Sequence, residues 1–176
     1  MHAKVLFHET QYFRQWWVWI ILAGVDVLFA YAIVQQVFFE TSFGDKPMTN
    51  GGLIITFVVS VLITLLFALM RLHTEIREDG VYYAFFPFHL SPHHKSWTDI
   101  SKVYVRKYNA LAEYGGWGVR YAITGKGRAL NVRGNMGIQM ELADGRKFLL
   151  GTQKPEEVSQ VLQQMGKYRA PETTGT

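Results

Sequence analysis

Asp26 is the only charged residue in an apolar run from Trp16 to Phe39. A carboxylate in lipid costs about 2.5 to 3.5 kcal/mol on insertion scales unless it finds partners or a proton. Ala23, Asp26, Ala30 and Ile33 fall on one helical face, and Thr56, Ser60 and Thr64 recur every four residues in a second apolar run. In an antiparallel hairpin Asp26 lies at about the depth of Ser60 and Thr64, whose hydroxyls can donate to it. Intramembrane polar packing or oligomer formation is the expected role. An ion relay, as in an accessory subunit of a transporter, is the functional alternative, although relays usually need several ionisable groups.

The remaining candidates for chemistry are weaker. His73, His89, His93 and His94 suggest a metal, but adjacent His93 and His94 on a strand point to opposite faces and no paired carboxylate accompanies them. They read as surface histidines. Gly115-Gly116-Trp117-Gly118 and Gly125-Lys126-Gly127 lack the spacing of a phosphate loop and read as turns, so no nucleotide is expected. The chain has no cysteine, which removes disulfides, thiol catalysis and cysteine-based metal sites. No Ser-His-Asp set or carboxylate pair can be nominated. The expectation is a protein that is not an enzyme, with no cofactor and no metal.

Binding residues are easier to name. Tyr108, Tyr114 and Trp117, in and beside a Gly-rich loop, would form an exposed contact patch for a protein partner if they are not packed inside. Residues 71–176 carry 15 Lys and Arg against 10 Asp and Glu, a net of +5. Under an anionic leaflet each nearby cation contributes about 1 kcal/mol, and Arg120, Arg128 and Arg133 are the candidate lipid headgroup contacts. Basic and aromatic residues do not interleave in a nucleic-acid motif, so no nucleic acid is expected.

The elements that hold these residues follow from patterning. With 49% hydrophobic and 18% charged residues in 176, the chain cannot be disordered. Residues 16–39 span about 36 Å as a helix and 53–70 about 27 Å, near a bilayer core of roughly 30 Å. A transmembrane hairpin is therefore expected over 16–72, with helices 16–39 and 53–72. Residues 1–15 would be an interfacial tail, in which Val5, Leu6, Phe7, Tyr12 and Phe13 could form a short amphipathic segment. Ala30-Tyr31-Ala32 resembles a signal cleavage site, but the apolar run continues past it to Phe39. Lys4, Arg14, Arg71 and Arg77 favour cytoplasmic placement of both ends.

From His73 onward short alternating runs replace long apolar ones, the pattern of antiparallel strands. Seven are expected, with hairpins at Asp79-Gly80, Gly125-Lys126 and Asp144-Gly145. Val119 and Tyr121 should oppose Val132 and Leu130, and Asn109 to Trp117 should be a loop. Pro155 opens a helix over 155–165 with an apolar stripe of Val158, Val161, Leu162 and Met165. Residues 73–169 would form this domain and 170–176 a disordered tail.

Ser96-Trp97-Thr98-Asp99-Ile100 leading into Lys102-Val103-Tyr104-Val105, and Gly137 to Leu142 followed by Gly151-Thr152-Gln153-Lys154-Pro155-Glu156-Glu157, resemble motifs of bacterial membrane proteins with pleckstrin-homology-like (PH-like) domains. The resemblance covers roughly residues 53–168. It implies an α+β membrane protein of the bacterial inner membrane: a two-helix hairpin, then a seven-stranded antiparallel bent sheet or barrel capped by a C-terminal helix. It also implies a non-enzymatic scaffold that binds a protein partner or self-assembles into a homo-oligomer, or else senses anionic membrane lipids. The basic first hairpin loop by which eukaryotic pleckstrin domains hold headgroups is here Glu78-Asp79-Gly80, a departure that argues against headgroup binding there.

Overall fold

The computed structural model describes residues 3–122 and 127–169. The Gly125-Lys126 turn and the tail 170–176 lie outside the described residues. The chain is α+β and forms two compact units, one of residues 14–69 and one that joins residues 1–13 to 70–176.

The β-rich unit contains two sheets. Strands β1 (Val5–Tyr12), β2 (Arg71–Arg77), β3 (Gly80–Phe86) and β4 (His93–Ser96) form an antiparallel sheet in that order. Strict alternation selects its inner face: Leu72, Thr74 and Ile76 on β2 and Val81, Tyr83 and Phe85 on β3 are buried. The expected hairpin at Asp79-Gly80 is present, with Arg77 opposite Gly80.

The segment expected to be an interfacial tail instead contributes a strand. Residues 5–12 are a strand paired with β2 from Val5 opposite Arg77 to Tyr12 opposite Arg71. The inward side chains of β1 are Phe7, Glu9 and Gln11. Two of these are polar, which conceals the alternation.

The Ser96–Ile100 motif is the corner between the sheets. Trp97 Nε1 donates to the Arg77 carbonyl at 3.0 Å, Asp99 N to Ser96 O at 3.0 Å, and the Asp99 carbonyl accepts from Ala143 N at 2.9 Å. The second sheet contains β5 (Ile100–Lys107), β6 (Gly118–Tyr121), β7 (Arg128–Asn131), β8 (Met136–Leu142) and β9 (Lys147–Gly151), in the order β5-β8-β9-β7-β6. Among the described residues nine strands thus replace the expected seven. The sheet is mixed and not antiparallel throughout, because β7 runs parallel to β9. The β6–β7 register also differs from expectation by two residues, with Val119 opposite Leu130 and Tyr121 opposite Arg128.

Two helices complete this unit. Helix α3 (Ala110–Tyr114) lies within the segment expected to be loop, and α4 (Pro155–Gln164) follows the second sheet. Pro155 fixes φ at the first turn of α4, and Glu156 and Glu157 face its positive end. Val158 and Leu162 are fully buried as α4 packs on β1, β5 and β8, while Val161 and Met165 are half-buried. Burial of each fully covered side chain is worth about 1.5 to 3 kcal/mol.

The helical unit contains α1 (Trp16–Ile33), prolonged by a π-helical turn over Val34–Phe38, and α2 (Asn50–Leu69). The second helix starts three residues earlier than expected and ends at Leu69 because β2 begins at Arg71. Both helices are long and apolar enough to cross a membrane, and only 6% and 11% of their most apolar windows are buried. Gln36 closes the connection by donating to the Met48 carbonyl at 2.7 Å and to Asn50 Oδ1 at 2.8 Å. Between the helices the Asp26 carboxylate accepts from the hydroxyls of Ser60 and Thr64, the latter at 2.8 Å. Thr56 instead donates to its own helix, at Gly52 O.

Candidate functional site

A cavity of about 500 Å³ opens beside α3, lined in part by Lys107, Asn109, Leu111, Glu113, Trp117 and Asn135. Its walls are set by local sequence. The Asn109 side chain caps α3 by accepting from Leu111 N at 3.1 Å and Ala112 N at 3.0 Å, and Glu113 Oε1 accepts from Asn109 N at 2.9 Å. The helix stops at Gly115, whose φ of 71° is a left-handed conformation that favours glycine; Gly116 N then donates back to Ala110 O at 2.8 Å. Five residues are too few to show a helical period, so only the Asn109 cap and the Gly-Gly stop mark this element in the sequence.

Arg106 fixes α3 to the second sheet. Its guanidinium donates to both Glu113 oxygens, at 3.0 and 3.3 Å, to Gln139 Oε1 at 2.9 Å and to the Tyr114 hydroxyl at 3.2 Å. Burial opposes the Arg106 charge, but the Glu113 carboxylate outweighs it and holds the guanidinium above its usual range.

Behind the cleft, Tyr108 and Tyr114 meet edge to face with centroids 6.1 Å apart and pack with Ala110, Ala129 and Leu149. Tyr108 is 3% exposed and Tyr114 2%. The exposed patch expected of Tyr108, Tyr114 and Trp117 is thus corrected: both tyrosines belong to the core, and Trp117 is half-buried against it while lining the cavity. Burial pushes the Tyr108 phenol up to about 12, against the smaller opposing effect of Asn131. The exposed apolar residue at the cleft is Leu111.

The three candidate headgroup arginines do not share one face. Arg120 pairs with Ala129 and Arg128 with Tyr121, and neighbouring positions on a strand point to opposite sides. Arg120 is exposed and donates from Nε to Trp117 O at 2.9 Å. Arg128 lies 5.5 Å over the Tyr121 ring and donates to His89 Nε2 at 3.1 Å. Arg133 follows β7, its carbonyl accepting from Gln153 Nε2 at 3.0 Å.

His93 and His94 separate as their spacing implies, whereas the His89 and His93 rings meet edge on with centroids 4.3 Å apart. His93 stacks on Tyr83 and His94 on Tyr82, on opposite faces of the first sheet. His73 lies between Thr10 and Glu75 on β1 and β2. Among the described residues no three His, Cys, Asp or Glu side chains are grouped to hold a metal ion.

No protein-family model matches this chain, and no significant match is found among curated proteins.

Proposed function

We propose that this chain is a membrane-anchored binding module of the PH-like kind, a scaffold and not a catalyst. In this reading α1 and α2 cross the inner membrane of a bacterium as a hairpin and the β-rich head stands in the cytoplasm. The observation that carries it is the pairing of β1 with β2. These strands flank the helical hairpin in sequence, so their shared sheet requires both ends of the hairpin on one side of any bilayer it crosses. The apolar surface left uncovered on both helices supports insertion, since a soluble core helix would bury it. Trp16, Trp17, Phe38 and Phe39 lie exposed at the ends of α1 and its π-helical turn, as interfacial aromatics do. The closing helix α4 suits the PH-like reading, and the parallel β7–β9 pair departs from its antiparallel pattern.

The head would hold its partner, a protein or a second copy, in the cleft beside α3. There Leu111 supplies exposed apolar surface on a helix fixed from behind by Arg106. Two measurements test the proposal. The cysteine-free chain admits single labels, so Ser42→Cys should react with an impermeant maleimide from outside intact cells and Thr98→Cys should not. Reaction of position 98 from outside overturns the topology. Intact mass after mild-detergent extraction should exceed that of the 20.2 kDa monomer and fall to it in Leu111→Glu. A wild-type chain that runs only as monomer overturns the scaffold.

A further inference from the structure

Leu90, at 86% exposed, is more exposed than any other large hydrophobic residue among those described, including those of the two apolar helices. It shares the short loop between β3 and β4 with Phe88, which is 59% exposed. Two exposed apolar side chains in one short loop form a surface for which water is a poor solvent.

The loop stands at a defined end of the first sheet. Its first strand, β3, finishes at Phe86, opposite Arg71, which is opposite Tyr12. The same row is where the chain leaves β1 for α1 and enters β2 from α2. Only Phe13, Arg14 and Gln15 separate Tyr12 from Trp16, a reach of at most about 14 Å, and Met70 alone separates Leu69 from Arg71. The Glu78-Asp79 turn is at the far end of β2, about 23 Å along the strand.

Beneath the loop is a cavity of about 280 Å³, lined in part by Thr10, Tyr12, Arg71, His73, Ala84 and Leu90. Ala84, between larger neighbours on the outer face, leaves the space open. Thr10 and His73 are joined to each other at 3.0 Å, and His73 also meets Glu75 at 2.9 Å. Arg71 is exposed and lies 5.2 Å over the Phe86 ring, a contact that occupies one face of its guanidinium and leaves its edge N–H groups to an anion.

We infer that the β3–β4 loop is a second membrane contact: Phe88 and Leu90 enter the interfacial layer and Arg71 holds a phospholipid phosphate at the mouth of the cavity beneath them. The inference rests on the reading of α1 and α2 as membrane-spanning. That reading keeps this strand end within a few residues of the headgroups, where long apolar and cationic side chains partition together. The opposite turn, Glu78-Asp79, is acidic, so the two ends of the sheet differ in the sense a membrane contact requires.

Full-length chains with a single cysteine at Leu90, Glu78 or Leu28, each carrying an environment-sensitive fluorophore, would be placed in phosphatidylcholine–phosphatidylglycerol vesicles containing spin-labelled lipid. The label at Leu90→Cys should be quenched by lipid labelled near the headgroup severalfold more than that at Glu78→Cys, and Leu28→Cys should be quenched by lipid labelled deep in the chains. Arg71→Gln should shift the Leu90 loop toward its withdrawn state by about fivefold, the effect of one cation at an anionic surface. Quenching at Leu28 without quenching at Leu90 overturns the loop contact and leaves the hairpin intact; absence at both overturns the membrane reading itself. Disulfide-linked dimers of the unlabelled Leu90→Cys chain, with no lipid quenching of the labelled one, would instead make the loop a contact between copies and overturn the inference. Unchanged quenching in Arg71→Gln overturns the role of Arg71.

Discussion

The Glu9 carboxylate accepts from the Thr152 hydroxyl at 2.7 Å, linking residues 143 positions apart. Its other oxygen accepts from Gln153 N at 2.8 Å, and two residues on, Gln11 Nε2 donates to Gly151 O at 2.6 Å. The inward polar side chains of β1 thus close on the segment that leaves β9, so that the head is completed by residues lying before the helical hairpin. Glu9→Ala would strand a buried hydroxyl and a backbone N–H, at a cost of about 1 to 3 kcal/mol. Denaturant unfolding of the full chain in micelles, followed by proteolysis of the head, measures this. A double-mutant cycle with Thr152→Val should return a coupling of at least about 0.5 kcal/mol, and additive effects would mean that the pair acts independently.

The same contact explains why β1 could not be read from the sequence. A strand is recognised by apolar residues at every second position, and here Glu9 and Gln11 occupy two of the three buried positions. Val5, Phe7 and the distant Gly-Thr-Gln segment contain the only hints. Local signals worked where pairing is local: Asp79-Gly80 and Asp144-Gly145 lie at strand connections, and Pro155 opens its helix. The parallel β7–β9 pair is non-local and leaves no mark in either strand. Asp26 could be grouped with Ser60 and Thr64 in advance because helical periodicity gives their faces and an antiparallel hairpin gives their depth. The cleft beside α3 was visible only as aromatic content, because which side of an aromatic faces the core depends on a five-residue helix and its cap.

Within the helical hairpin the consequences of substitution should be asymmetric. Asp26→Ala leaves two hydroxyls that can turn to their own helix backbone, as Thr56 already does, so the loss should be about 1 kcal/mol, the scale of hydrogen bonds between membrane helices. If the hairpin crosses a membrane as proposed, replacing both Ser60 and Thr64 by Ala removes both hydroxyl donors from the carboxylate in an apolar phase and should cost about 2 to 3 kcal/mol. Unfolding in mixed micelles by a denaturing detergent orders the two variants. The reverse order would mean that Asp26 has partners of its own in an oligomer.

Arg106 should show a comparable asymmetry in the head. Arg106→Met removes five hydrogen bonds to acceptors on three elements, one of them the Lys107 carbonyl, and leaves the Glu113 carboxylate partly buried beside Asn109 N, a loss of about 2 to 4 kcal/mol. Combining it with Glu113→Gln removes the charge that Arg106 balances and should restore part of the loss. Proteolysis at α3, read by mass spectrometry, should rise in the single variant more than in the double. Equal cleavage in both would show that the pair does not hold the helix.

His89 makes stability of the head depend on pH near neutrality. Burial first, then His93 and Arg128, disfavour its protonated form and lower its pKa below the ordinary 6.5. Its ring contacts fix the setting: Arg128 donates to Nε2 at 3.1 Å and the His93 ring lies 4.3 Å away, edge on. A histidine with a depressed pKa binds fewer protons when folded than when unfolded, so its contribution is complete above 6.5 and is lost as pH falls through its folded value. Glu75, held below its ordinary 4.5 by His73 and Arg77 although burial works against this, contributes in the same sense but in a more acid window. The melting temperature of the full chain should therefore fall as pH drops below 6.5, and His89→Asn should flatten that part of the profile while leaving the drop below pH 4.5. A wild-type profile that is flat from pH 7 to 5, or an unaltered slope in His89→Asn, would remove His89 as its cause.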